Sequence, residues 1–374
     1  MTLLKTLGID LPIIQAPMAG VSSPAMAAAV SNAGALGSIG VGATDAEAAR
    51  RMIAAVRERS QRSLNVNVFC HQPATLDSTL EAAWLEHLRP HFERFGAKPP
   101  SRLKEIYRSF VEDDAMLAAL LADKPHVVSF HFGLPSAERI RALREAGIVL
   151  LASATNVAEG HAVAKAGVHA VVAQGYEAGG HRGVFDPDAE DDCLGTMALT
   201  RLLVRELEVP VIAAGGIMDG AGIAAAIRLG ASAAQLGTAF IACTESDADA
   251  GYRETLASDA ANHTVMTRAI SGRPARCLRN RFTVLGAGIS PRQIPSYPIA
   301  YDAGKALNAA AKAAHEPGYG AQWAGQGAPL ARKLPAAELV AALAEELGTS
   351  AGSQTPSASM RDGLMMPSAG SEPQ

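Results

Sequence analysis

The stretch AKAGVHAVVAQGYEAGGHRG, residues 164–183, carries three signals in one line. An alanine-rich helical end closes on Gly167, where glycine serves as the residue just past a helix C-terminus. The short apolar run AVVAQG (170–175) follows as a strand. It opens into a loop that sets Glu177 and His181 among four glycines, too glycine-rich for a stable helix or strand. Such glycines suit backbone that takes φ > 0 or passes close to a ligand.

The helix–glycine–strand punctuation recurs in SNAGALG (31–37), REAGIVL (144–150) and IRLGASA (227–233). Short apolar runs appear at 13–18, 35–40, 63–69, 126–132, 149–154, 170–175, 209–217 and 233–240, giving eight candidate strands. Ser23 with Pro24, Thr155 and Asp219 read as helix starts between them. Near-continuous apolar strands alternating with helices mean a parallel sheet covered on its faces, and eight such units predict an α/β fold of the (β/α)8 TIM-barrel type. Residues 1–70 and 126–260 form the predicted barrel. Residues 71–125 read as a helical insertion after the third strand, as a lid or an oligomer contact. Residues 261–348 form a C-terminal extension that completes the site, and 349–374, rich in small polar residues, Gly and Pro, read as a disordered tail.

With 374 residues, 48% of them hydrophobic, the chain can bury a substantial core. A net charge of −4 offers no basic field, so neither nucleic acid nor an anionic membrane is an expected partner. Cys70, Cys193, Cys243 and Cys277 are far apart and suggest neither a disulfide framework nor a metal site. No apolar run near the start has the length of a signal or spanning segment, so the expected location is cytoplasmic.

In a barrel of this kind the chemistry gathers at the C-terminal strand ends, with phosphate held after strands seven and eight. Those ends read AAGGI (213–217) and QLGTAF (235–240). Gly215, Gly216 and Gly237 would let backbone N–H groups near an anion, with Gln235 and Leu236 leading in and Thr238 adding a hydroxyl. The first strand ends in QAPMAG, where Ala16, Pro17 and Met18 would offer backbone and a soft apolar surface to a cofactor ring. Asn67 and Gln174 either hydrogen-bond a heterocycle edge or are satisfied by backbone. His131 either handles a proton or attracts an anion, or packs between Phe130 and Phe132. His181 alone reads as a catalytic group or a loop residue.

Together and in this order, QAPMAG, SFHFGLP (129–135), QGYEAGGHRG (174–183), AAGGI, AQLGTAF, SGRPAR (271–276) and YGAQWAGQG (319–327) resemble the nitronate monooxygenase family, formerly 2-nitropropane dioxygenases, in its bacterial class I branch. The resemblance runs over about residues 1–335. It implies an FMN-binding barrel that oxidises alkyl nitronates, such as propionate 3-nitronate, with O2 to a carbonyl compound and nitrite. It implies that Gly179 and Gly180 let the backbone pass close to the flavin and its phosphate, that His181 stands over the ring's substrate side, and that Glu177 orients a neighbouring group or the loop. It also implies that Tyr297, Tyr301 and Lys305 contact substrate. The rival reading is an FMN-dependent NAD(P)H oxidoreductase, an enoyl-thioester or quinone reductase on the same barrel; a non-enzymatic flavin-binding barrel is a third.

Overall fold

A computed structural model of the chain describes residues 2–352. Its eight long-range-paired strands are β1 (Ile13–Gln15), β2 (Gly37–Gly40), β3 (Leu64–Phe69), β4 (Val127–His131), β5 (Val149–Ala154), β6 (Ala170–Gln174), β7 (Val211–Ala214) and β8 (Ala233–Leu236). They lie in the order β1-β8-β7-β6-β5-β4-β3-β2, and all neighbours pair parallel. The ring closes just ahead of β2, where Gln15 N donates to the Leu36 carbonyl (2.9 Å) and Leu36 N to that of Ile13 (3.0 Å). The chain is a (β/α)8 barrel.

Alternation along the strands decides what the barrel contains. One parity faces outward and packs under the helices: Val128, Phe130, Leu150, Ala152, Val171 and Ala173 share a buried cluster with Leu199, Leu203 and Ile140. The other parity faces inward, and its chemistry changes with height. Val127, Leu151, Val172, Ile212 and Leu36 make an apolar floor that helix Leu3–Leu7 plugs with Leu3 and Leu7. Further along the same inward rows stand Asn67, Ser129, His131, Ser153, Gln174 and Gln235, all at the mouth.

Several strands stop short of their apolar runs. β1 ends at Gln15 before Pro17, which has no N–H for the ladder, and β7 ends at Ala214 before Gly215 (φ 123°) and Gly216 (φ 69°) turn left-handed. The run at 233–240 ends as a strand at Leu236 and becomes helix Thr238–Ile241. Ser23 and Asp219 cap their helices, accepting from Met26 N (3.0 Å) and Gly222 N (2.8 Å). At the third helix start the cap is Asn156, one residue beyond Thr155; Thr155 instead donates to the Glu159 carboxylate at 2.6 and 2.7 Å.

The outer ring is completed from far downstream. Helix Ala336–Gly352 lies against helices Pro24–Asn32 and Gly220–Arg228, where Leu339, Val340 and Leu343 are fully buried among Met26, Val30 and Ile223. Each such side chain contributes about 1.5–3 kcal/mol by leaving water. This helix also runs past residue 348 into the stretch read as a tail; the rest of that stretch, 353–374, lies outside the described residues.

Residues 71–125 carry helices Ser78–Arg94 and Asp114–Asp123. Trp84, Leu88 and Phe92 of the first pack with Ile299, Ala303 and Leu307 of helix Ile299–Ala313, while Met116 and Leu120 of the second join the barrel's outer cluster. A small antiparallel sheet of Thr264–Thr267, Ala275–Leu278 and Gly180–His181 covers part of the mouth. The glycine loop after β6 thus does form a strand at 180–181: Ala275 and Arg276 supply the pairing that its own sequence could not. No described helix is long and apolar enough to cross a membrane.

Candidate active site

A cavity of about 580 Å³ occupies the C-terminal mouth. Ala16, Pro17, Met18, Asn67, Gln174, Gly179, Gly180, Gly215, Gly216, Gln235, Gly237 and Thr238 all line it, as do His131, His181, Tyr297, Tyr301 and Lys305. Leu236 does not. Parity turns its side chain outward into the helix-facing core, and only its carbonyl serves the region, accepting from Ala16 N at 2.8 Å.

Two of the glycines of 174–183, Gly175 and Gly179, make room for neighbouring backbone of the chain itself. A Cβ on Gly179 would fall 2.4 Å from Gly325 N and 2.5 Å from Ala324 C, so this glycine admits the crossing segment 324–325 as well as lining the cavity. Gly180 takes φ 76°. The Glu177 carboxylate accepts from Thr196 N (2.8 Å) and Thr196 Oγ1 (2.8 Å), tying the loop to the start of helix Thr196–Glu206. Gln174 is spent in the same way: its carbonyl accepts from Gly183 N (2.7 Å) and its amide donates to the His181 carbonyl (3.0 Å).

The two histidines then divide. His131 Nε2 lies 3.2 Å from the His181 carbonyl, which can only accept, so Nε2 carries the proton and Nδ1 takes the Ser153 hydroxyl at 2.9 Å. Burial lowers its pKa to about 4. It is therefore a neutral, fully engaged ring, not the anion-attracting group its sequence position suggested. His181 lies in a box of Phe132, Tyr297, Tyr301 and Trp323, with ring centroids 5.1–6.0 Å away. Its Nε2 meets Ser271 Oγ at 2.9 Å, and Nδ1 takes no hydrogen bond among the described residues. Burial first, then the unfavourable proximity of His131, the Arg273 cation and His71 to a charged ring, push its pKa well below the ordinary value.

Several partners escaped sequence reasoning. Phe132 holds φ 74°, strained for a bulky side chain, at the centre of the aromatic group. Behind it lies Arg273, 2% exposed, its guanidinium 4.3 Å from the Phe132 centroid and its Nη2 donating to the Val184 carbonyl. Burial lowers its pKa to about 10, so it stays cationic at neutral pH. The signal was an arginine inside SGRPAR, but only the pairing of 275–276 with 180–181 brings it to the mouth. Lys305 sits over Tyr107 (5.0 Å) and Tyr301 (5.6 Å), one helical turn from Tyr301 on the same helix. Asp247 and Asp249 are the lining carboxylates, and Asp249 is paired with Lys312 at 2.6 Å.

On the opposite side, the N–H groups of Gly216, Gly237 and Thr238 donate to no carbonyl among the described residues. A Cβ on Gly237 would make only ordinary contacts, 3.5 Å to Ala16 Cβ and 3.7 Å to Met18 Sδ, so its bareness answers to nothing among the described residues. Asn67 Nδ2 donates to Ser129 O (3.1 Å), and the Gln235 amide has no partner among the described residues.

Fold and site together define a (β/α)8-barrel enzyme whose C-terminal mouth holds a deep cavity beside a boxed histidine. The chain matches the nitronate monooxygenase family over residues 1–346 and belongs to that family, one of flavin oxidoreductases. It is 65% identical over 345 residues to the nitronate monooxygenase of Paraburkholderia phytofirmans, spanning 92% of this chain and 94% of that one. It is 55% identical over 345 residues to the nitronate monooxygenase of Pseudomonas aeruginosa, spanning 92% and 98%. Nitroalkane oxidase from Streptomyces ansochromogenes has a similar solved structure, with a TM-score of 0.85 at 41% identity over 93% of this chain and 98% of that one.

Proposed function

We propose that the chain binds FMN without a covalent link and oxidises anionic alkyl nitronates, propionate 3-nitronate among them, with O2 to a carbonyl compound and nitrite. The residues fit the cofactor: the free N–H groups of Gly216, Gly237 and Thr238 suit its phosphate, and Asn67 and Gln235 suit the edge of its ring. FMN supplies the electron transfer from nitronate to O2. The chain's own part is to bind, orient and shield.

One observation carries the substrate class. The cavity offers His181 and Lys305, the buried cation Arg273 lies behind Phe132 and adds its positive field, and among the described residues no carboxylate lines the cavity beside His181. A nitronate enters with its carbanion already formed and needs no strong base. It needs positive potential in low dielectric, where such groups act more strongly than in water. The aromatic box excludes water around the reacting carbon.

The decisive experiment compares oxygen uptake with propionate 3-nitronate against the neutral nitroalkane, measured before the latter ionises. The nitronate should be the better substrate by about tenfold or more. Equal rates would sink the substrate reading, and rapid anaerobic bleaching of the flavin by NADH would favour the nicotinamide-dependent alternative. For the cofactor, acid precipitation should release FMN, and Gly237→Ala should weaken its retention while leaving thermal stability close to wild type. Recovery of FAD, or full FMN retention in that variant, would count against the phosphate site.

A further inference from the structure

The hydroxyl of Ser271 has two acceptors within reach and is fully buried: His181 Nε2 at 2.9 Å and the Arg273 carbonyl at 3.2 Å. It can donate to one at a time. When it donates to Arg273, its oxygen must accept from His181, which places the ring proton on Nε2 and a lone pair on Nδ1. When it donates to Nε2, the ring proton must sit on Nδ1. A flip of the ring would have to proceed against four aromatic rings that stand around it at centroid distances of 5.1–6.0 Å.

We propose that Ser271 is a positioning residue that selects the tautomer of His181, so that a neutral ring can present Nδ1–H to an anionic substrate. The ring begins and ends with one proton: before substrate enters, Nδ1 gains a proton from water in the open cavity, and the short-lived imidazolium gives up its Nε2 proton to water as the Ser271 contact opens, so the net charge is unchanged. A lone pair aimed at a nitronate oxygen would repel it, and the hydroxyl's rotation removes that repulsion without the cost of holding a buried imidazolium beside Arg273. His131 has no such freedom, since its Nε2 faces a carbonyl.

The inference rests on the nitronate reading only for the charge of the substrate, and nitrate, a planar anion with the same O–N–O geometry, replaces it in the test. In the flavin-loaded full chain with ¹⁵N-histidine, the His181 signals are those missing from His181→Asn. They should show Nε2 protonated in the free protein and Nδ1 protonated with nitrate bound. In Ser271→Ala the exchange should be lost and kcat/KM for the nitronate should fall about tenfold with the flavin spectrum intact. The proposal is overturned if nitrate does not bind, if bound nitrate leaves Nε2 protonated, if it produces a doubly protonated ring, or if Ser271→Ala retains the exchange. A wild-type protein that shows the exchange but turns over no nitronate would sink the proposed function and leave this inference standing.

Discussion

His131 and His181 stand side by side at the barrel mouth, both kept neutral by burial, yet they meet the cavity with different resources. His131 gives its only proton to a carbonyl and its only lone pair to Ser153. His181 meets a hydroxyl, which can give or take, and its Nδ1 takes no hydrogen bond among the described residues. Burial and depressed basicity therefore do not tell the histidine proposed to meet substrate from the one proposed to support it. What separates them is whether a ring nitrogen remains unspent after the chain has satisfied the rest.

The largest expected effect tests the unspent nitrogen. His181→Asn should keep the bound flavin's spectrum and lower kcat/KM for nitronates by about 10²-fold or more, equivalent to roughly 3 kcal/mol of transition-state stabilisation. Steady-state kinetics beside a flavin spectrum measure both. Near-wild-type turnover would break the contrast, since an open Nδ1 would then have no use.

A smaller effect is expected at the spent ring. His131→Asn removes one of two donors to the His181 carbonyl, and Gln174 remains. The loss should be about tenfold in kcat/KM, near the value of one hydrogen bond, and should leave the salt dependence of substrate binding unchanged. A loss equal to that of His181→Asn, or one confined to anion affinity, would return His131 to the electrostatic role its strand-end position suggests.

Much of this contrast was within reach of the sequence, and its limit is physical. HVVSFHF and LNVNVF show polar residues on alternate positions toward the strand ends, so the inward row Ser129–His131 and the pair Asn67 and Asn65 could be read from a period of two. The same rule separates Gln235 from Leu236, which cannot both face the barrel interior. What distant pairing decides was not legible. Gly180–His181 becomes a strand only because Ala275 and Arg276 arrive from far along the chain, and that pairing brings Ser271 and Arg273 to His181. The outer helix at 336–352 is another such arrival, since nothing in β8 or its short following helix announces which segment will cover it. At Gly179 the residue type was informative, but the crowding by backbone 324–325 that makes a Cβ impossible there was not legible.

The smallest effect on turnover is expected from pH, and it separates these rings from surface histidines. Because His131 ionises only near pH 4 and His181 well below its ordinary value, neither should place a limb in the kcat/KM profile between pH 6 and 7.5. Stability should respond instead. In the unfolded chain a histidine takes up its proton near pH 6.5, whereas folded His71 and His131 remain neutral down to about 4. Between those values the unfolded state binds more protons, so stability is complete above pH 6.5 and falls as the solution is acidified toward 4, by at most about 1.4 kcal/mol per pH unit for each ring. Urea midpoints at pH 7 and pH 5 measure the drop, and His131→Asn should make it shallower by one ring's share. A midpoint independent of pH would mean that these rings accept protons in the folded state, and a limb near pH 6.5 in kcat/KM would then assign that proton to the reacting pair.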